Sequence, residues 1–413
     1  MTPGARVAAA IEVLAAWADG REGLDRVLLR WGRAHRFAGS GDRLAIADLV
    51  YDALRRPRRA QWLAGGGDPG SALAALDARR LLIGSLALGG TDPAALFTGV
   101  GHAPPPLARE ETAALARLAE EGAAALLADA PPGLRADMPD WLMPALAPLP
   151  DATLDAFGER APVDLRVNTL KTDREAAMAA LAEEGVVTAP GPLAPTCLRV
   201  LDGARRVSRS AAYADGLVEL QDAASQAAAA HANAAPGMIV LDYCAGGGGK
   251  ALALAAHMAG RGRLMAHDID PARMADLPAR ARRAGAAISP VGTAGLPELA
   301  DRCDLVFADA PCSGSGAWRR NPDARWRLTP HRLAELHDAQ NTVLAGAAAC
   351  VRPGGTLVYA TCSVLHSENI ERVRAFLSGN TGWKPEREPL SLLPSGTDGD
   401  GFFAIRLVKG VQD

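Results

Sequence analysis

The sequence predicts a doubly wound α/β sheet, preceded by a small α/β module and a helical N-terminal region, within 413 residues. Three observations carry that expectation. From Met238 onward, short apolar runs alternate with helix-length stretches, the pattern of a mostly parallel sheet with helices on both faces. The first of those runs enters a glycine-rich turn. Upstream, apolar residues recur at helical rather than strand spacing.

Bulk composition bounds the rest. The length suits two or three domains. Hydrophobic residues at 49% with 22% charged describe a globular chain, and Gly 43 with Pro 29 predicts prominent loops. Only four of the 44 basic side chains are lysines, so individual arginines are not read as phosphate contacts on their number alone. The net charge of −3 argues against a protein that coats nucleic acid non-specifically, though not against a local basic groove. None of the six cysteines forms a Cys-x-x-Cys pair, which gives no zinc signature and no disulfide framework. No metal is expected, and a reducing compartment, the cytoplasm, is. The apolar stretch Val7 to Trp17 carries Glu12 and is too short to span a bilayer, so neither a membrane segment nor a signal peptide is expected.

In chain order, Leu24, Val27, Leu28 and Trp31 form one helical stripe. A second helix is predicted from near Asp42 to the basic cluster Arg55-Arg56-Pro57-Arg58-Arg59, where Pro57 makes continuation costly. That cluster reads as a solvated helix end favoured by the helix dipole, with phosphate contact as the alternative. Residues 1–140 are assigned to this helical domain and 141–235 to a small α/β module with strands at Val163 to Leu170 and Leu198 to Val200 around a helix near Asp173 to Glu184. Residues 236–413 form the catalytic domain, with strands at Met238–Leu241, Arg263–His267, Leu305–Ala308, Thr356–Ala360 and Phe402–Val408.

The turn Tyr243-Cys244-Ala245-Gly246-Gly247-Gly248-Gly249-Lys250 lets the backbone pass close to a ligand. Asp268, the first acidic residue after the next strand, suits hydrogen bonding to ribose hydroxyls. The turn lacks the Gly-x-Gly-x-x-Gly form of dinucleotide sites, and Ala251 after Lys250 excludes a P-loop. S-adenosylmethionine, which needs carboxylates and backbone groups rather than a pyrophosphate cradle, fits better. Two thiols sit just past later strands, Cys312 in Asp309-Ala310-Pro311-Cys312 and Cys362 in Thr361-Cys362-Ser363. Strand ends of such a sheet converge on one crevice. Two thiols and a carboxylate there point to covalent chemistry on a pyrimidine.

These segments, together with Arg166-Val167-Asn168-Thr169-Leu170-Lys171, Val218 to Gln226, Arg319-Arg320-Asn321-Pro322-Asp323 and Asp400-Gly401-Phe402-Phe403, resemble the RsmB/Nop/Sun RNA 5-methylcytosine methyltransferases over roughly residues 140 to 410. The resemblance implies a class I S-adenosylmethionine-dependent methyltransferase with a Rossmann-like sheet. Gly41 through Leu63 is similar to the NusB-like RNA-binding domain of bacterial RsmB proteins, here shortened after Gly90. Two departures stand in the cofactor site: Gly247 replaces a proline, and Gly292-Thr293 replaces an aspartate expected near the adenine.

By resemblance, Cys362 is the nucleophile that adds to cytosine C6 and makes C5 nucleophilic. Cys312 assists removal of the C5 proton, and Asp309 stabilises charge at N3. Cofactor contacts are expected from Cys244, Ala245, Gly246, Gly247, Gly248, Gly249, Lys250, Asp268, Thr293 and Asp309. RNA contacts are expected from Arg166, Asn168, Trp318, Arg319 and Arg320, with Arg325, Trp326 and Arg327 extending that surface. Ribosomal RNA is the first expected substrate and tRNA the second. Two rivals remain at the level of sequence: a catalytically silent RNA-binding assembly factor, and a DNA or small-molecule methyltransferase in which Pro311-Cys312 marks the nucleophile instead.

Overall fold

A computed structural model describes residues 1–411. The chain forms two compact units. One comprises Met1–Arg160 together with Trp318–Thr329, the other Ala161–Ala317 with the chain from Pro330 onward. The first unit therefore extends past residue 140 and takes in a short segment from the far side of the chain.

The first unit is helical. Its long helices are Pro3–Ala18, Leu24–Ala34, Ser40–Arg55, Ala78–Leu88 and Arg109–Glu121. Val7, Val13, Leu14 and Trp17 pack against Ile46, Val50, Leu54 and Leu82 in one core. The second predicted helix starts two residues before Asp42, whose carboxylate accepts the Gly39 amide at 3.3 Å and so satisfies a free donor of the first turn. At Pro57 the chain breaks and restarts at once, because proline's missing N–H is harmless in a first turn. The basic cluster is largely internal: Arg58 is buried, paired with Asp68 at 2.6 Å and Asp140 at 2.7 Å.

The second unit holds two sheets. β1 (Asp164–Val167), β2 (Val187–Pro190), β3 (Cys197–Asp202) and β4 (Val218–Leu220) form an antiparallel sheet in the order β2-β3-β1-β4. The edge strand β2 ends in a proline and lacks alternation, which hid it from the sequence. The larger sheet consists of β5 (Ile239–Asp242), β6 (Arg263–Ala266), β7 (Ser289–Pro290), β8 (Cys303–Asp309), β9 (Val351–Thr361), β10 (Trp383–Pro385), β11 (Leu390–Leu392) and β12 (Phe402–Lys409). Its order is β10-β12-β9-β8-β5-β6-β7, with β11 paired to β12. The β5 to β9 pairs are parallel, and β12 runs antiparallel beside β9.

Successive residues of these strands serve opposite faces. Val306, Ala308, Leu357 and Tyr359 pack with Leu344 and Ala347 of the helix Pro330–Cys350. Leu305, Phe307, Val358 and Ala360 pack with Ala228 and Leu254 on the other side. Burial on both faces produces the continuous apolar runs seen in the sequence. Strand order reverses between β5 and β8, so the crevice for ligands opens where Asp242, Asp309 and Cys362 leave the sheet. Among the described residues, no helix is long and apolar enough to cross a membrane and no group of His, Cys, Asp or Glu could hold a metal ion.

Candidate active site

The parallel pairing of β8 with β9 sets Asp309 opposite Ala360, so the loops that follow the two strands start side by side. Ala310 continues the ladder by donating its amide to Ala360 O at 2.8 Å. The result is a contact between the two thiols: Cys312 Sγ lies 3.5 Å from Cys362 Sγ. Both cysteines are partly exposed. The Cys362 thiol beside it, and then burial, push the Cys312 thiol well above its usual pKa. The Cys312 loop is held by a close approach at Gly316, where a Cβ would stand 2.1 Å from Gly401 O.

Asp309 is paired with Lys250, whose Nζ lies 2.6 Å from Asp309 Oδ2 and 5.2 Å from the centre of the Phe402 ring. Burial pulls the Lys250 ammonium down, but the Asp309 carboxylate outweighs it and leaves lysine above its ordinary value. The lysine of the glycine turn thus stays charged between the donor crevice and the thiols.

The glycine turn follows β5 directly and opens the helix Gly249–His257. Gly248 has φ +83°, and a Cβ there would meet Leu277 Cδ1 at 2.3 Å, so the residue must be glycine on both counts. The Arg280 guanidinium donates to the Gly247 carbonyl and pairs with Glu219 at 3.2 Å, a clamp that offsets the freedom of glycine in place of proline. Asp268 is buried and accepts the Gly246 amide at 3.0 Å, with Arg273 at 3.1 Å. Both carboxylate oxygens of Asp242 are buried with no partner among the described residues, and so are both ring nitrogens of His267. Burial pushes the Asp242 carboxyl up to about 7 against the pull of Lys250. Unsatisfied acidic and imidazole groups beside a glycine turn fit a ligand with an ammonium and ribose hydroxyls, as S-adenosylmethionine has. Thr293 stands exposed just beyond the end of β7.

The structure buries most of the side chains expected to contact RNA. Trp318 and Arg319 are fully buried in the first unit, and so is Arg325, whose Nη2 donates to Leu54 O at 3.2 Å and to Arg55 O, capping the helix Ser40–Arg55. Trp318 packs on Phe157 at 5.6 Å, and Trp326 belongs to the helical core. Arg320 is partly buried, and Arg327 alone of that arginine group is exposed. Arg166 and Asn168 are buried as well. Arg166 Nε donates to Gln221 Oε1 at 2.6 Å, and Asn168 Nδ2 donates to Gly216 O and Ala284 O, each at 2.8 Å. In both segments most of these side chains are buried and partly engaged by internal hydrogen bonds, although Arg166 Nη1, Trp318 Nε1, Arg325 Nε and Nη1 and Trp326 Nε1 have no partner among the described residues, so the buried ones offer no RNA surface in this structure.

Sequence reasoning missed the polar set behind the thiols. Glu368, Gln340 and Ser363 are buried there and Ser313 is partly buried, joined by hydrogen bonds. The available signal was the run Ser367-Glu368-Asn369, charged and polar where a strand gives way to the helix Ile370–Gly379. The unpartnered pair Asp242 and His267 was also missed as ligand groups.

Comparison with known proteins bears on the same residues. Residues 230–408 match the family described as 16S rRNA methyltransferase RsmB/F, and residues 138–208 match its ferredoxin-like domain. The ribosomal RNA small subunit methyltransferase B of Salmonella newport (strain SL254) is 34% identical over 267 residues, 62% of each chain. The probable ribosomal RNA small subunit methyltransferase B of Synechocystis sp. is 32% identical over 305 residues, 67% of this chain and 68% of that one. The chain thus covers 62% of the length of the first relative and 68% of the second. Among solved structures, PH0851 superposes with a TM-score of 0.72 at 24% identity over 99% of both chains. NSun6 from Pyrococcus horikoshii with SFG gives 0.57 at 19% identity over 64% of this chain and 94% of that one. Both share the fold. By sequence, the chain belongs to the RsmB/F methyltransferase family.

Proposed function

We propose that the protein methylates C5 of a cytosine in RNA, with small-subunit ribosomal RNA as the first substrate, through a covalent bond from Cys362 to cytosine C6. The single observation that carries this reading is the 3.5 Å contact between Cys312 Sγ and Cys362 Sγ at neighbouring strand ends. Two structural thiols have no reason to meet at the ends of neighbouring strands beside the Lys250–Asp309 ion pair. The names of the relatives supply the choice of RNA. Free thiols at all six cysteines fit a reducing compartment.

S-adenosylmethionine, when bound, supplies a methyl group activated on a sulfonium. The chain's residues do the rest. Cys362 as thiolate bonds to C6, and the C5=C6 electron pair moves toward N3. There it meets Asp309, and the Lys250 ammonium 2.6 Å away supplies positive charge and, through the carboxyl, the proton N3 needs. C5 is now nucleophilic and takes the methyl group. Cys312 passes its own proton to solvent and, as thiolate, removes the proton left on C5. The electron pair re-forms C5=C6, the C6–sulfur bond breaks, N3 returns its proton, and Cys362 leaves as thiolate.

The test is transfer of labelled methyl from S-adenosylmethionine to ribosomal RNA and tRNA offered separately, with bisulfite sequencing of the product. Label at cytosine C5 of small-subunit RNA is expected. Absence of label from every RNA would reject the reading.

A further inference from the structure

We propose that Glu368 is a positioning residue that sets the separation of the two thiols by gripping both cysteine-bearing loops at once. This rests on the reading of Cys362 as nucleophile and Cys312 as base. Glu368 is fully buried, yet no basic side chain is paired with it among the described residues. Its four donors are neutral. Oε1 accepts the Ser313 amide at 2.8 Å and Gln340 Nε2 at 3.0 Å. Oε2 accepts the Ser363 hydroxyl at 2.5 Å and the Ser313 hydroxyl. Ser313 follows Cys312, and Ser363 follows Cys362. A single carboxylate thus holds the immediate neighbour of each reacting sulfur.

The surrounding bonds have only one consistent direction. Val364 N–H donates to Ser315 Oγ at 2.9 Å, so the Ser315 hydroxyl is free to donate to Ser363 Oγ, also 2.9 Å away. Leu365 N–H donates to Ser363 Oγ at 3.0 Å, which fills its acceptor sites and turns its own proton toward Glu368. The second proton of Gln340 Nε2 goes to Pro311 O at 3.0 Å, fixing the residue before Cys312 as well. Tyr359 on β9 donates to the Glu368 carbonyl at 2.7 Å and anchors the carboxylate to the sheet. An acceptor-only group is required at the centre, because every neighbour arrives as a donor. Burial of so many polar groups in one place is costly unless their geometry matters. Here the geometry they define is that of two sulfurs and their approach to one pyrimidine.

Glu368→Gln keeps the shape but presents an amide N–H₂ where two hydroxyls donate. Loss of about 1 Å of alignment costs on the order of 10²-fold in the chemical step while substrate binding persists. The experiment is single-turnover kinetics on the full chain, with S-adenosylmethionine and RNA, following both the denaturation-resistant RNA–protein adduct and the methylated product. In Glu368→Gln, adduct formation and adduct release should each slow by on the order of 10-fold to 10²-fold, with KM for both substrates within about threefold of wild type. Two milder variants separate the arms of the grip. Ser363→Ala should slow adduct formation by Cys362, and Ser313→Ala should slow release through Cys312, a split that simple destabilisation would not produce. If Glu368→Gln fails to fold, the serine pair decides. Wild-type rates in both serine variants, or equal slowing of both steps in each, would overturn the positioning role. Failure of the wild-type protein to methylate RNA would instead reject the reading on which the role rests.

Discussion

The crevice at the ends of β5, β8 and β9 and the segment Trp318–Thr329 are both rich in groups that chemistry can use, yet one lies at the open ends of a parallel sheet and the other packs into a helical core. In the crevice, Asp242 and His267 keep polar atoms unpaired and the two thiols keep only each other. In the segment, the Arg325 Nη2 group is spent on helix carbonyls and two tryptophans are packed away. An unspent buried polar group costs free energy that folding alone does not repay, so it marks a place where a ligand completes the structure. The segment is only partly satisfied as well: Arg325 Nε and Nη1 and the indole nitrogens of Trp318 and Trp326 are buried without a partner among the described residues. Neither residue type nor unpaired atoms alone separates the two cases; the placement of two touching thiols at strand ends beside a glycine turn does.

The sharpest way to break this contrast is at the thiols. Cys362→Ala should lower kcat by at least about 10³-fold and form no adduct with RNA, since the covalent step has no substitute. Cys312→Ala should form the adduct and fail to release it, visible as a slow-migrating RNA–protein band under denaturing conditions. Adduct accumulating in Cys362→Ala instead would reverse the two assignments. Asp309→Asn should cost about 10² to 10⁴-fold in kcat. A change below threefold would remove Asp309 from the chemistry.

On the other side of the contrast, Trp318→Ala should destabilise the protein by about 3–5 kcal/mol, as expected for emptying a large buried aromatic site. Thermal or denaturant unfolding measures it. Any loss of RNA binding should follow the loss of folded protein, with the salt dependence of binding unchanged. A shallower salt slope with normal stability would return this segment to the RNA surface.

How much of this was legible follows the same division. Asp309, Cys312 and Cys362 could be placed from sequence because each follows a short apolar run, and in a parallel sheet the end of a strand fixes where the next residue points. The glycine turn was legible because Gly248 meets a steric demand that no other residue satisfies. The burial of Arg166, Asn168, Trp318, Arg319 and Arg325 was not legible. It depends on partners far along the chain, such as Leu54 O for Arg325 and Ala284 O for Asn168. Glu368 escaped for a related reason: its meaning lies in simultaneous contact with Ser313 and Ser363, from two loops 50 positions apart in their cysteines. The short strands β2, β7 and β10 were missed because strands of two to four residues carry too little alternation to register.

A smaller effect probes the unsatisfied carboxyl itself. Burial raises Asp242 from the usual 3.8 to about 7 in the folded protein without its donor. The folded state then holds a proton that the unfolded chain releases first. The stability linked to that proton is fully present below about pH 4 and is lost as pH rises to about 7. Asp242→Asn lacks this slope, so the melting temperature of wild type should fall relative to the variant across that window in the absence of S-adenosylmethionine. Parallel curves would show that the carboxyl is solvated or paired in solution.

The smallest effect is expected at Cys244, a free thiol inside the glycine turn. Burial, and then the neighbouring Asp242, push its thiol far above the ordinary range, so it stays protonated and unreactive. Cys244→Ala should leave the adduct and its release intact, change kcat by less than about threefold, and show its effect as a modest shift in KM for the methyl donor through repacking of the turn. Alkylation should discriminate in the same way. All three thiols are partly exposed, and a thiol reagent should modify Cys362 before Cys244 and Cys312, whose thiols are both pushed above their ordinary value, with bound S-adenosylmethionine slowing the first reaction. Preferential labelling of Cys244 would mean that the turn opens in solution. In that case its polar groups would be satisfied by water, and the argument from unspent atoms would lose its basis at this site.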